Sequence, residues 1–174
     1  SVIMVGHPRL GANVGGTMAI LSATIYFILI AKGKKLSIKN LILFVFIIGL
    51  AIMVLGYIDI ALNPNPTHLG KTIGIIGDKG IGIVQNIISR KLLMNIKLIK
   101  VTIWTKVIFI DILVQVILTF IFKDKVLYIM EKGIGRGILS GIIGSIFGLL
   151  LNDSGIILSA LAMSLITIYM LFII

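Results

Sequence analysis

The 174-residue chain is 59% hydrophobic and only 13% charged, where soluble domains hold roughly 45–50% apolar residues. With a mean hydropathy of +1.20, that excludes a soluble globular core and predicts a polytopic membrane protein. Sixteen Lys and Arg against six Asp and Glu give a net charge of +10, which predicts basic loops resting on anionic headgroups and no nucleic-acid partner. The absence of cysteine removes disulfides, thiolate nucleophiles and cysteine metal sites.

In chain order, Ser1 stands where a methionine would, and no basic segment with a cleavage site follows it. This predicts a piece of a longer protein without a signal peptide. Val14 to Ala31 carries no charge and is long enough for one span, since about 20 residues cross the hydrocarbon. Lys32, Lys34, Lys35 and Lys39 form a basic loop. Leu41 to Leu62 is a second span, with Asp59 near its end, and Asn63-Pro64-Asn65-Pro66 terminates it.

The next stretch is read as a loop and interfacial helix over residues 74–105. Gly70, Gly74, Gly77, Gly80 and Gly82 predict a loose first part. From Ile83 to Trp104, Asn86, Ser89, Arg90, Lys97 and Lys100 share one side of a helical wheel, while Ile88, Leu92, Ile99 and Ile103 share another. An amphipathic helix in the interface, anchored by Trp104, fits that pattern. Val107 to Phe122 is a third span containing Asp111. Lys123 to Arg136 is a charged connection, and Gly137 to Leu151 and Ile156 to Ile174 are the fourth and fifth spans. The fold class is therefore an all-α membrane bundle of about five transmembrane helices plus one interfacial helix, in a single domain covering residues 1–174. The compact basic connections at 32–39 and 123–136 place those loops inside, which turns the opposite face outward.

That opposite face gathers His7, Arg9, Asn13, Asp59, His68, Lys71, Asp111, Asn152 and Asp153. Intramembrane Asp59 and Asp111 face the bundle interior or a pathway, or alternatively pair with Lys71 and Lys106 at the interface. Leu151-Asn152-Asp153-Ser154-Gly155 interrupts two apolar segments, and non-helical backbone at membrane depth survives only against protein or a cavity. His7-Pro8-Arg9-Leu10-Gly11-Ala12-Asn13-Val14-Gly15-Gly16-Thr17 puts glycines and an arginine at a helix start, where free amides attract anions; close helix packing is the other reading. Gly137, Gly141, Gly144 and Gly148 form a small-residue face leading to Asn152. No cofactor motif is recognisable. Gly70-Lys71-Thr72 lacks the glycine a phosphate loop needs at position 65, two isolated histidines do not argue a metal, and no Ser-His-Asp arrangement is defensible.

Leu10-Gly11-Ala12-Asn13-Val14-Gly15-Gly16, His68-Leu69-Gly70, Arg90-Lys91-Leu92 and Leu151-Asn152-Asp153-Ser154-Gly155, in that order, resemble the carboxyl-terminal membrane part of large uncharacterised envelope proteins of clostridia and actinobacteria. The resemblance implies a multi-pass protein of a bacterial plasma membrane. It also implies an upstream extracytoplasmic domain similar to alkaline-phosphatase-like hydrolases, and shared positions at Gly11, Asn13, Gly15, Gly16, His68, Gly70, Asn152, Asp153 and Gly155. The expected function is an envelope module with an outward-facing site for a lipid-linked or other anionic substrate. Its expected binding residues are His7, Arg9, Asn13, Gly15, Gly16, His68, Lys71, Asn152 and Asp153. A transporter or flippase half using Asp59, Asp111 and Asp153, or a structural assembly subunit, remain open alternatives. No reaction is defined by these residues.

Overall fold

The computed structural model describes residues 2–7, 13–33, 38–80 and 82–174. Among them all regular structure is helical: α1 (Val2–Gly6), α2 (Val14–Ala31), α3 (Ile38–Leu62), α4 (His68–Lys79), α5 (Gly82–Val101), α6 (Trp104–Ile121), α7 (Lys123–Glu131), α8 (Gly133–Leu151) and α9 (Gly155–Ile173). The helices α2, α6, α8 and α9 are long and apolar enough to cross a membrane, and α3 carries a shorter apolar stretch from Phe46 to Leu62. Only 22–33% of each of the four long spans is buried inside the protein. Phe109, Phe120, Leu165 and Phe172 lie on the outside, an apolar surface that water would not tolerate and lipid does. The chain is a multi-pass membrane protein.

Without a hydrophobic drive between helices in lipid, close packing and interhelical hydrogen bonds must hold the bundle. The most extensive helix pair is α2 with α8, and small residues make it possible. A Cβ added at Gly144 would sit 2.9 Å from Ala23 Cβ and 3.1 Å from the Ala19 carbonyl oxygen. Polar side chains join the other spans. Gln115 Nε2 donates to Thr167 Oγ1 at 2.9 Å and Ser164 Oγ to Asp111 Oδ2 at 2.6 Å, tying α6 to α9. Ser159 Oγ donates to the Ser145 carbonyl at 2.7 Å, tying α9 to α8. At one end Leu118, Ile138 and Met170 form a buried apolar cluster.

Two stretches differ from the sequence expectation. The glycine-rich segment read as loose is the helix α4. Thr67 caps it by accepting from the Leu69 amide at 3.3 Å, Gly56 lets Ile73 pack directly on α3, and Gly80, at φ 77°, ends it. Tertiary packing outweighs the roughly 1 kcal/mol that each glycine costs a helix. The charged connection at 123–136 is likewise ordered, as α7 and the first turn of α8, and Trp104 opens α6 instead of ending the preceding helix.

Gly144→Ala is expected to destabilise the bundle by about 1–3 kcal/mol through overpacking. Gly137→Ala, at an exposed position where an added Cβ meets nothing within 4 Å, should be neutral or slightly stabilising. Thermal unfolding of the two variants in detergent separates them.

Candidate functional site

The polar break is short: only residues 152–154 leave helical geometry between α8 and α9. Its backbone groups are satisfied from a third helix. Asn95 of α5, buried, donates from Nδ2 to the Leu149 carbonyl at 2.9 Å and the Asn152 carbonyl at 2.9 Å. Its Oδ1 accepts from the Ile156 amide at 3.2 Å. One amide thus caps the end of α8 and the start of α9, which the orphan groups of helix termini require. Gly155 permits the sharp reversal, since a Cβ there would run into the Leu149 carbonyl.

The start of α2 is pressed against this break. An added Cβ at Gly15 would lie 2.6 Å from Asn152 Cα and 2.9 Å from the Leu151 carbonyl oxygen. Asn13 is the N-cap of α2, its Oδ1 accepting from the Gly16 amide at 2.8 Å, while Thr17 Oγ1 donates back to the Asn13 carbonyl at 2.7 Å. The glycines therefore serve close packing, and Gly16 is buried with its amide already engaged.

Beside the break lies a cavity of about 480 Å³, within the roughly 300–1,000 Å³ of small-ligand sites. Leu69, Thr72, Ile73 and Ile76 of α4 line one wall, with Ile52 of α3. Val14, Gly15 and Met18 of α2 line another, and Val84 and Ile88 of α5 contribute as well. Polar groups converge at one edge: Asn13, Arg90, Lys91, Asn152 and Asp153. Lys91 Nζ lies 3.0 Å from Asp153 Oδ2, the lysine side chain 19% exposed and the aspartate 54%. An ion pair that open to solvent contributes on the order of 0–1 kcal/mol, so its carboxylate is an exchangeable partner for the ammonium.

The expected site residues divide accordingly. Asn13, Gly15, Asn152 and Asp153 meet at the cavity. Arg90 and Lys91, which the wheel placed on a solvated side or left unassigned, join them. His7 follows α1, half-buried, and does not line the cavity, and Lys71 is exposed. His68 opens α4, its side chain outside the described residues, as is the whole of Arg9.

The intramembrane acids do not pair with Lys71 or Lys106. Asp59, fully buried, accepts from Thr67 Oγ1 at 2.6 Å, Asn63 Nδ2 at 2.7 Å and the Gly70 amide at 2.9 Å. It locks the turn from α3 into α4, and a Cβ at Gly70 would sit 2.6 Å from its Oδ2. Asp111 is held by Ser164. Asp59, Asp111 and Asp153 thus sit in three separate local networks.

Asn95 is the residue that sequence reasoning missed. The signal was a lone amide in the apolar run Leu92-Leu93-Met94-Asn95-Ile96. Asn95→Leu should strand two carbonyls and an amide, at about 1–3 kcal/mol for each buried group left unpaired. Hydrogen exchange at Ile156 is expected to accelerate strongly while exchange within α6 does not change. No family model, curated protein or solved structure matches the chain.

Proposed function

We propose that this chain is the membrane module of a bacterial cell-envelope protein, and that it holds a lipid-linked anionic substrate in the cavity beside the break. The observation that carries the reading is the placement of Arg90 and Lys91 at the polar edge of an otherwise apolar cavity. An amphiphile needs both: an apolar wall for its chain, and cations for its headgroup. Arg90 supplies a planar fork matched to phosphate or carboxylate, and Lys91 a point charge.

The cavity opens beside the starts of α2 and α9 and the end of α8, where apolar spans give way to polar residues. A membrane-borne substrate presents its headgroup at that depth. The outward orientation of this face follows from placing the compact basic connections inside. The chemistry applied to the substrate belongs to the extracytoplasmic hydrolase-like domain that the resemblance implies upstream. Within this chain the residues bind and orient: Arg90 and Lys91 hold the anion, Asn13 and Asn152 border it, and Asp153 pairs with Lys91.

Binding of a short-chain phosphatidate to the purified protein tests this. Arg90→Gln combined with Lys91→Gln should weaken it roughly 100-fold, the worth of two charge-assisted contacts, with unfolding unchanged. Asp153→Asn, which releases the Lys91 ammonium, should tighten it. Equal affinity in wild type and the double variant would remove the cavity from consideration as the headgroup site. Orientation is read separately in the cysteine-free background. An impermeant maleimide should label Ser154→Cys in intact cells and leave Lys125→Cys unlabelled; the reverse pattern rules out an extracytoplasmic substrate.

A further inference from the structure

The far end of the bundle carries a second cavity with different chemistry. It measures about 430 Å³ and is lined by Lys125, Tyr128, Ile129, Lys132, Ile134 and Ile173. About 28 Å of helix separates it from the break, the rise of the 19 residues of α8. The helix α7 joins the end of α6 to the start of α8 here, and α9 finishes alongside. This end therefore lies where three apolar segments leave the membrane.

The local arrangement is an amphiphile's complement in miniature. Lys132 Nζ sits 4.5 Å from the centroid of the Tyr128 ring, a contact that attracts the ammonium to the ring. Lys125 Nζ donates to the Ile174 carbonyl at 2.9 Å, which fixes the second ammonium beside the end of α9. Among the described residues Lys132 has no carboxylate within 4.0 Å, although Asp124 and Glu131 lie on α7. Lys123, Lys125, Lys132 and Arg136 outnumber those two acids. Apart from the two lysines and Tyr128 the lining is isoleucine. Tyrosine at a headgroup level, basic residues beside it and apolar residues beneath are the features by which membrane proteins hold lipid at an interface.

We propose that this cavity binds one anionic phospholipid of the surrounding bilayer. Lys125 and Lys132 contact its phosphodiester and glycerol headgroup, and Ile129, Ile134 and Ile173 receive the upper part of an acyl chain. The site is independent of the cavity beside the break, and it sits in the opposite leaflet.

A photoactivatable phosphatidylglycerol, incorporated with the full chain into phosphatidylcholine nanodiscs, tests the proposal by the position of cross-linking. Labelling should concentrate between residues 125 and 134. Lys125→Gln with Lys132→Gln should reduce it about 30-fold, taking each ammonium near an anionic surface as about a fivefold factor. Lys123→Gln, outside the cavity, should leave it unchanged. If the double variant does not assemble, Lys132→Glu alone decides: a loss of about fivefold or more supports the site, and undiminished labelling overturns it. Equal labelling by a photoactivatable phosphatidylcholine overturns the proposal, as does an equal loss in Lys123→Gln, since either means no headgroup-selective site. Complete competition by inorganic phosphate overturns it also, because the ligand would then be a free anion.

Discussion

The close approach of α2 and α8 is the constraint from which the rest of the arrangement follows. In lipid, two helices gain little from burying apolar side chains against each other, so the pair must touch nearly backbone to backbone. Gly144 meets Ala19 and Ala23, and at the end of the same seam Gly15 meets Asn152. The second contact brings the start of α2 onto the break, and the cavity forms beside that junction. Had either helix carried larger residues along the seam, the break would be open to lipid, with carbonyls at Leu149 and Asn152 seeking partners.

Neutral and charged polar groups have separate tasks in this bundle. Asn95, Gln115, Ser145, Ser159, Ser164 and Thr167 sit between helices and hydrogen-bond across them. Amides and hydroxyls are suited to that role, since burying them in satisfied pairs costs far less than burying an ion. The exceptions are Asp59 and Asp111. Three donors around Asp59 make its burial tolerable, and in return the carboxylate organises the α3–α4 turn. Four of the cations, Arg90, Lys91, Lys125 and Lys132, line the two cavities.

Much of this was legible in the sequence. Uncharged runs marked the spans because charge is what the hydrocarbon excludes, and Leu151-Asn152-Asp153-Ser154-Gly155 marked the break because its polarity had no other explanation. The helix α4 was not legible. Its glycines argue against a helix, while what decides the matter is contact with Gly56, Thr67 and Asp59. The role of Asn95 was equally hidden, as its partners lie 54 to 61 residues away and helical periodicity reports only which residues share a side. Arg90 read as part of a solvated stripe, and Lys91 was left unassigned, because a wheel cannot show that one edge of the stripe abuts another helix's end. Of the two readings of the glycines at 15 and 16, close packing is realised at Gly15 against the break, while Gly16 lies against Asn13 and Val5 and gives its amide to Asn13.

The hydrogen bonds of Asp59 have a mechanical side. They bind the last turn of α3 to the first turn of α4 on both sides of the Asn63–Thr67 corner, so α4 cannot reorient independently of α3. The helix α3 is a long element in contact with lipid, and the tilt of such an element answers to the local thickness of the hydrocarbon layer. One wall of the cavity is made by Leu69, Thr72, Ile73 and Ile76 of α4, and the facing wall by α2 and the break. A change in the tilt of α3 would therefore carry that wall of the cavity with it.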